Sequence, residues 1–462
     1  MKKQIAVTGA GLVGSLLAVW LAKRGFEVTV YERRPDIRQE HEYGGRSINL
    51  ALSDRGWRAL KEAGLDENFR KIAIPMRGRM VHQLNGEQLF QPYGEADQAI
   101  FSVSRAELNK QLISAAEQLP NVKFAFNHRC LQFDHDDMEL HLLDGNTNQH
   151  LVIQPELIFG ADGAFSSIRG SIQRINRFNY AQHYLDHSYK ELNIPPAADG
   201  SHQLEKNALH IWPRKSFMLI ALPNIDGSFT CTLFLAHEGD ISFQSIATQD
   251  DLMLFFQTHF PDVIPLMPDL CHDFFTNPTS SLVTIRCSPW TFNHRIALIG
   301  DAAHAVVPFY GQGMNAGFED VRVLCGLIDQ YSNKDTLYTD WEQVFEQYEL
   351  LRIPDGNAIA DLALQNFIEM RDLVADPKFQ LRKKMEPFLH EKYAGFKSLY
   401  SLVTFSDDTR YSEAKRVGQL QDQLFEQILS LPNIANTWQA PQTLAQIDSL
   451  VGVYLSAVNN GG

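Results

Sequence analysis

The sequence predicts a mixed α/β fold, and three observations lead to that prediction. A β-branched strand, a glycine turn, a helix and a second strand follow one another within the first 32 residues. Between about residues 179 and 276, short strands follow one another with Pro, Gly or Asn at most of the joins, which favours an antiparallel sheet. Across residues 341–429, apolar residues recur at three- and four-residue spacing, which is typical of helices.

The N-terminal unit has the pattern that a dinucleotide requires. A predicted strand leads into a glycine turn, a helix and a second strand that ends on Glu32. Gly9 permits the tight turn, Gly11 leaves room for a pyrophosphate, and Gly14 lets the helix pack close to the strand. The helix N-terminus offers N–H groups to that pyrophosphate, and Glu32 can accept hydrogen bonds from a ribose. We therefore expect a Rossmann-like dinucleotide-binding domain rather than a glycine-rich turn that binds nothing.

A targeting peptide is the competing interpretation of the N-terminus, because Lys2 and Lys3 precede an uncharged run at residues 4–22. The three glycines and the strand after them have no role in a signal peptide, however. The run is also short and glycine-rich for a membrane span, and no later stretch reaches about 18 consecutive apolar residues. We therefore expect a protein with no membrane anchor.

Composition excludes some classes of function. The chain has 462 residues, of which 44% are hydrophobic, so it can form large cores and is expected to contain roughly three domains. Its 41 Lys and Arg against 55 Asp and Glu give a formal charge of −14, which argues against nucleic acid as a partner. Five cysteines are scattered without a CxxC pair, which favours a reducing cytoplasmic location over a disulfide framework.

Two later strands are also predicted to end in acidic residues. One runs into Asp162 and the other into Asp301, each through a glycine. Because ligands bind at the carboxyl ends of parallel strands, we expect both carboxylates near Glu32. His304 follows closely and could act as a general base, but a histidine satisfied by a neighbouring group is the simpler interpretation.

A predicted hairpin at residues 74–94 carries Arg77 and Arg79. Alternation along a strand places both side chains on one face, where a fixed guanidinium can bind a carboxylate with two hydrogen bonds. On the residues alone, a pair of solvated arginines is slightly favoured. Asn366 and Glu369 share one face of a predicted helix, where they could meet an ammonium group or simply be exposed.

Two further patterns concern local structure and metals. Three strands between residues 122 and 142 are predicted to form a small antiparallel sheet. His183 and His187 stand four apart, as two metal ligands on one helical turn would. No third ligand is evident in the sequence, so we predict no metal site.

Three widely separated stretches together resemble the class A FAD-dependent aromatic hydroxylases. They are the N-terminal glycine turn with Glu32, the Gly160-Ala161-Asp162-Gly163 motif, and the Gly300-Asp301-Ala302-Ala303-His304 motif with its Gly311-Gln312-Gly313 loop. Within that family, the chain is most similar to members that hydroxylate L-kynurenine. The stretches that carry this similarity are residues 46–52, 77–80, 91–94, 207–213 and 308–315, with Asn366, Glu369, Met370, Tyr400 and residues 403–405.

The resemblance implies a Rossmann-like FAD-binding domain of the GR2 type, with FAD and NADPH as cofactors. FAD would lie with its diphosphate on the first glycine turn. NADPH would reduce it without a second Rossmann unit, and the sequence holds no second GxGxxG unit. The implied FAD-contacting residues are Gly9, Gly11, Gly14, Glu32, Arg33, Ala51, Arg105, Leu131, Asp301, Gly313, Met314 and Asn315.

The implied activity is hydroxylation of L-kynurenine to 3-hydroxy-L-kynurenine with O₂, through a C4a-hydroperoxyflavin. Because the flavin carries the chemistry, no side chain is assigned a catalytic role. The implied substrate contacts are Arg79, Tyr93, Phe309, Tyr310, Asn366, Glu369 and Tyr400. A soluble cytoplasmic monomer or homodimer is expected. Two alternatives are a hydroxylase of another aromatic acid on the same fold and a non-catalytic, flavin-bound redox sensor.

The expected domain division is discontinuous along the chain. The FAD-binding domain comprises residues 1–74, 100–178 and 277–365. An antiparallel-sheet substrate domain comprises residues 75–99 and 179–276, and a C-terminal helical region comprises residues 366–462.

Overall fold

The computed structural model describes residues 4–39, 48–94, 98–333, 338–369, 376–406 and 408–460. Arg46, Ser47 and Met370, which belong to the stretches quoted above, lie outside these ranges. The predicted mixed α/β fold is confirmed, since the described residues form parallel and antiparallel sheets followed by a run of helices.

The strands, in chain order, are β1 (Gln4–Thr8), β2 (Glu27–Tyr31), β3 (Asn49–Leu52), β4 (Ile74–Met76), β5 (Gly78–His82), β6 (Gln88–Pro92), β7 (Ile100–Ser104), β8 (Val122–Ala125), β9 (His128–Asp134), β10 (Glu139–Asp144), β11 (Gln149–Ile153), β12 (Leu157–Gly160), β13 (Asn179–Ile194), β14 (Ala208–Arg214), β15 (Phe217–Pro223), β16 (Phe229–Ala236), β17 (Ser280–Ser288), β18 (Thr291–Phe292), β19 (Ile296–Leu298), β20 (Ser332–Asn333) and β21 (Tyr338–Thr339). The α-helices are α1 (Leu12–Lys23), α2 (Asp54–Glu62), α3 (Asp66–Arg70), α4 (Arg105–Glu117), α5 (Ser167–Ile172), α6 (Gln249–His259), α7 (Leu270–Thr276), α8 (Asp301–His304), α9 (Gly313–Gln330), α10 (Trp341–Ile368), α11 (Pro377–Lys392), α12 (Leu399–Thr404), α13 (Tyr411–Leu429), α14 (Ile434–Thr437) and α15 (Pro441–Asn459).

A six-stranded sheet organises the N-terminal part, in the order β18-β19-β12-β1-β2-β8. All neighbouring strands in it are parallel except β18, which pairs antiparallel with β19. Thr8 pairs with both Tyr31 and Gly160, and Gly160 pairs with Leu298, so these strands end at one edge. That edge therefore brings together the glycine turn, Glu32, Asp162 and Asp301, as the sequence predicts.

The prediction for residues 122–142 is wrong in one strand. Val122 pairs in parallel with Val28, so β8 belongs to the six-stranded sheet. The reason is the preceding helix α4, because a helical crossover returns the chain in parallel beside an earlier strand. The small antiparallel sheet consists instead of β9, β10 and β11.

A seven-stranded sheet forms the second layer, in the order β17-β13-β16-β15-β14-β5-β6. The predicted strands of the middle segment and the predicted hairpin β5–β6 are all present in it. Strand β17 also joins this sheet, although it falls within residues 277–365 of the expected FAD-binding domain. His183 and His187 lie on β13 rather than on a helical turn, and His187 Nε2 bonds to the Ser216 carbonyl.

The two faces of the seven-stranded sheet have different neighbours. One face packs on helices α6 and α7 through residues such as Trp212 and Phe256. The other face packs on the turn Pro308–Tyr310 and on the C-terminal helices, through Met218 and Phe234. This second face, together with the short sheet β3-β7-β4, encloses the region where the predicted substrate residues meet. Within the described residues, no helix combines the length and the apolar character that a membrane crossing needs.

Candidate active site

The glycine turn after β1 is closely packed on one side and open on the other. Gly9 has φ +96°, and a Cβ atom there would lie 2.5 Å from the Ala161 carbonyl oxygen. A Cβ on Gly14 would overlap the carbonyl oxygen of Gly9. A Cβ on Gly11 would meet no described atom within 4 Å, and Gly11 is the N-cap of α1. The turn therefore presents the start of α1 to open space, as a pyrophosphate site requires.

Glu32 is held at the end of β2 by its own neighbours. Its Oε2 accepts a hydrogen bond from the Ala10 N–H at 2.8 Å, and its Oε1 accepts from Arg34 Nε at 2.9 Å. Asn109 on α4 donates to the Ala10 carbonyl at 3.0 Å, while its buried Oδ1 has no partner among the described residues. A cavity beside these groups is lined by Ala10, Glu32, Arg34, Pro35, Ile37, Asn109, Ile113 and Phe126.

Asn315 connects the start of α9 to strand β3. Its Nδ2 donates to the carbonyls of Ala51 and Gly311, both at 2.9 Å, and its Oδ1 accepts from the Ser53 N–H at 3.0 Å. The side-chain amide is thus used within the protein, so any ligand contact from Asn315 comes from its backbone. Met314, the residue before it, is buried in the first turn of α9.

The remaining predicted cofactor residues are distributed around the same edge. Asp301 is exposed at the start of α8, directly after Gly300 with φ +62°. Arg33 and Arg105 are both exposed, at the end of β2 and at the first residue of α4, and Leu131 is half-buried on β9. Asp162 is held by the Ser167 N–H at 2.7 Å, and burial raises the pKa of its carboxyl group.

Three tyrosines and Arg79 form the centre of the predicted substrate site. Tyr400 stacks between Tyr93 and Tyr310, with ring centroids 5.2 Å and 5.8 Å away. The guanidinium carbon of Arg79 lies 5.1 Å from the Tyr400 ring centroid and 5.6 Å from that of Tyr93. Burial raises the pKa of Tyr93 and Tyr310 well above 10, so both hydroxyls stay protonated and can donate. The Tyr93 hydroxyl is buried without a hydrogen-bond partner among the described residues.

Aromatic rings form a second wall beside the tyrosines. Phe309 stacks on Phe367 with ring centroids 4.3 Å apart, and Phe234 of the seven-stranded sheet lies 5.0 Å away. Asn366 donates from Nδ2 to the Phe309 carbonyl at 2.7 Å, and this hydrogen bond holds the turn Pro308–Tyr310 against α10. Glu369, at the end of α10, accepts from Gln365 and lines a cleft between α10, α11 and α13.

A buried charge network supports both parts of the site. His304 Nε2 lies 2.5 Å from Asp320 Oδ2, in agreement with a histidine satisfied by its neighbour. The same carboxylate accepts from the Gly300 N–H at 3.1 Å and from Arg352 Nε at 2.7 Å. Burial alone would raise the pKa of Asp320, but the facing His304 and Arg352 hold it below its usual range. The network therefore anchors the backbone next to Asp301.

Similarity to known proteins decides the family. A family model described as FAD binding domain matches residues 2–333, which is more than half of the chain. The kynurenine 3-monooxygenase of Flavobacterium johnsoniae is 47% identical, covering 97% of this chain and 98% of the relative. The chain belongs to the kynurenine 3-monooxygenases. Another member, from Dictyostelium discoideum, is 43% identical and covers 99% of both chains.

The fold of this chain recurs in more distant solved structures. One is the tetrameric form of 2-methyl-3-hydroxypyridine-5-carboxylic acid oxygenase, with a TM-score of 0.64 and 19% identity over 81% of this chain and 94% of that chain. Another is PqsL of Pseudomonas aeruginosa in complex with 2-aminobenzoylacetate, with a TM-score of 0.63 and 18% identity over 80% and 97%. At such identities the likeness shows the fold alone.

Several residues at the site are not among the sequence predictions. Arg34 and Asn109 contact the Glu32 region, and Arg55, Asp320 and Arg352 belong to the buried network. Arg34 stands two residues after Glu32, so its position in the turn after β2 could have indicated that it lies beside Glu32. The buried arginines offered none, because their partners come from helices far along the chain. The described residues contain no cluster of His, Cys, Asp or Glu that could hold a metal.

Proposed function

We propose that this chain is a monooxygenase that uses FAD and NADPH to hydroxylate L-kynurenine to 3-hydroxy-L-kynurenine. The observation that carries the proposal is the environment of Arg79. Among the described residues, no carboxylate pairs with its guanidinium, which instead faces the rings of Tyr93 and Tyr400. A partly buried cation without a counterion is suited to a ligand carboxylate, which an amino-acid substrate supplies.

The edge of the six-stranded sheet fits FAD. The open side of Gly11 and the start of α1 would receive the diphosphate, and Glu32 would accept hydrogen bonds from a ribose. Asn109 lines the adjoining cavity, and its Oδ1, which has no partner among the described residues, would accept a hydrogen bond from the adenosine part. When bound, FAD supplies the redox chemistry that activates O₂ after reduction by NADPH.

The proposed FAD contacts include all the residues that the sequence resemblance implies. Ala51 and Met314 would lie beside the flavin ring, with Asp301 near the ribitol chain. Gly9 and Gly14 shape the turn without touching the ligand through side chains. The others on the cofactor side are Arg33, Arg105, Leu131, Gly313 and Asn315, with Arg34 added from the structure.

The substrate would lie between the tyrosines and the aromatic wall. Arg79 would bind its carboxylate, and the protonated hydroxyls of Tyr93 and Tyr400 would donate to it. Asn366 and Glu369, at the end of α10, would complete the contacts to the amino-acid part. Phe309 and Tyr310 would face the aromatic ring of the substrate and exclude water from it, so that the activated oxygen would react with this ring rather than with water.

A product assay tests this proposal directly. The purified holoenzyme is mixed with L-kynurenine, NADPH and air, and the product is identified by mass spectrometry. We expect a product that gains one oxygen atom and coelutes with 3-hydroxykynurenine. Turnover of simple hydroxybenzoates in place of kynurenine would favour the alternative aromatic-acid hydroxylase. Bound flavin without any hydroxylated product from either substrate would favour the redox sensor and contradict the proposal.

Assembly and location extend the same proposal. We propose a monomer or homodimer that acts in the cytoplasm, because the five cysteines are all free in the structure. Size-exclusion chromatography with light scattering measures the mass in solution, and a tetramer would contradict the assembly.

A further inference from the structure

Arg55 joins the cofactor side of the fold to the helix that carries Tyr400. It lies on α2, directly after strand β3, and is 2% exposed. Its Nε donates to the Val403 carbonyl at 2.9 Å, and its Nη2 donates to the carbonyls of Leu402 at 3.4 Å and Thr409. One side chain from the start of the protein therefore holds the end of helix α12.

Two of the bonded carbonyls, those of Leu402 and Val403, are among the groups that a helix leaves unsatisfied at its C-terminus, whereas that of Thr409 lies in the segment after α12. A helix end has four such groups, and a cation placed there is favourable because it also faces the negative end of the helix dipole. Helix α12 spans only six residues, Leu399–Thr404, so it is too short to be stable without tertiary contacts. Arg55 thus adds polar contacts to α12 beside the packing of the buried Leu402 and Val403.

The guanidinium of Arg55 is itself fixed on its other sides. Its Nη1 donates to Glu319 Oε1 at 2.8 Å, and its carbon lies 4.0 Å from the centroid of the Tyr411 ring. The Tyr411 hydroxyl donates to Gln312, the N-cap of α9. A planar fork with several donors can satisfy all these partners at once, whereas a lysine ammonium would satisfy only some of them.

We infer that Arg55 is a positioning residue for the substrate site, which sets the location of Tyr400 between Tyr93 and Tyr310. The inference rests on the proposed function. Tyr400 stands on the first turn of α12, so a shift of that helix moves its ring against both neighbours. Arg55 is not placed to contact the substrate itself, because its donors are taken up by Glu319 and the backbone carbonyls.

The test compares Arg55→Lys with Arg58→Lys in the holoenzyme. Arg58 lies on the same helix, is partly exposed, and pairs with Glu62 at 3.1 Å and with the exposed Asp408 at 3.3 Å; a lysine keeps the charge of both exposed pairs, so it is the matched control. We expect Arg55→Lys to speed amide hydrogen exchange across residues 399–405 and to raise KM for kynurenine by about tenfold or more. The rise in KM should exceed any change in kcat, because Arg55 does not contact the substrate. Arg58→Lys should change none of these quantities.

A second variant is used if Arg55→Lys does not fold. Tyr411→Leu removes the ring beneath the guanidinium but leaves the hydrogen-bond partners of Arg55 in place. We expect it to speed exchange across residues 399–405 by a smaller factor than Arg55→Lys would. Unchanged exchange in that variant would overturn the inference.

A double variant separates positioning from general destabilisation. In a Tyr400→Ala background, Arg55→Lys should raise KM no further, because the ring that it positions is gone. If Arg55→Lys raised KM by the same factor in the Tyr400→Ala background as in the parent, the inference would be overturned. Unchanged exchange and unchanged KM in Arg55→Lys alone would also overturn it. If the parent enzyme did not hydroxylate kynurenine, the proposed function would fail while the exchange measurement still judged the role of Arg55.

Discussion

Tyr400 stacks on Tyr93 with the two ring planes only 12° from parallel and the ring centroids 5.2 Å apart. Tyr93 follows the hairpin strand β6, and Tyr400 lies on helix α12 near the other end of the chain. Arg79 lies over both rings, so their negative faces stabilise its charge, with which no carboxylate of the described residues pairs. The stack therefore holds the guanidinium ready for an anionic group.

Replacing Arg79 by alanine should weaken kynurenine binding selectively. Charged hydrogen bonds of this kind contribute about 2 to 3 kcal/mol, which corresponds to a rise in KM of roughly 30-fold to 150-fold. Steady-state kinetics with kynurenine measure the change. Arg77→Ala is the matched control, because Arg77 is exposed and precedes the strand, and its KM should change less than about twofold. Equal effects of the two variants would contradict the assignment.

Alanine at two glycines of the first turn should have opposite consequences. In Gly14→Ala the new Cβ overlaps the Gly9 carbonyl, so the apoprotein should lose about 1 to 3 kcal/mol of stability. In Gly11→Ala the Cβ meets no described protein atom, so the thermal midpoint of the apoprotein should stay unchanged. FAD affinity should nevertheless fall at least about tenfold, because the Cβ enters the diphosphate site. Calorimetry and flavin titration measure the two quantities; normal FAD affinity in Gly11→Ala would refute the placement.

Neutralising Glu32 should release FAD without affecting substrate contacts. In Glu32→Gln the amide keeps its size but accepts the Ala10 and ribose hydrogen bonds less strongly, so FAD should bind roughly tenfold more weakly. Flavin absorbance of the purified protein and a fluorescence titration report the loss. Glu117→Gln, on an exposed part of helix α4, serves as the control and should retain FAD fully. A yellow, fully loaded Glu32→Gln protein would show that the ribose lies elsewhere.

The buried His210, which bonds to His82, should make the stability of the protein depend on pH in the mildly acidic range. Burial, assisted by the facing His82, lowers the pKa of His210 to about 4, although a hydrogen bond to the Glu205 carbonyl opposes the shift. An unfolded histidine has a pKa of 6.5, so the unfolded chain binds the additional proton first. The stabilisation is complete above pH 6.5 and is lost as the pH falls towards about 4.

His210→Gln should therefore flatten this profile. The shift corresponds to about 3 kcal/mol, so the parent should lose up to that much more stability than the variant between about pH 7 and about pH 4.5. Urea unfolding midpoints at both pH values measure the difference. Parallel pH profiles for the two proteins would rule out His210 as the source.

The cofactor side of the fold could be predicted from sequence because its signals are local. The glycine turn and the acidic strand ends each lie within a few residues of their strands, so their edge follows from parallel pairing. The sheet to which strand Val122–Ala125 belongs could not be predicted from its own pattern, because its pairing depends on the crossover helix that precedes it. The spacing of His183 and His187 suits two ligands on a helical turn, but both residues lie on strand β13, which the spacing alone does not reveal.

The substrate side could not be derived from local pattern. Arg79 alone is no different from a solvated arginine, and only the approach of Tyr400 from α12 gives it a distinct environment. The resemblance to known hydroxylases named these residues, whereas spacing and periodicity did not. Neither the resemblance nor the local pattern identifies Arg55, because its partners, Glu319 and backbone carbonyls of the C-terminal part, lie far along the chain. Buried networks of this kind become visible only when distant helices are placed together.

The place of helix α12 in the chain has a consequence for biosynthesis. Every strand of the six-stranded sheet lies before residue 300, whereas Leu399–Thr404 leaves the ribosome much later. Because domains fold as they emerge during translation, the six-stranded sheet can form before Tyr400 has been synthesised. The stack of Tyr93 on Tyr400 therefore cannot be completed until most of the chain has been made.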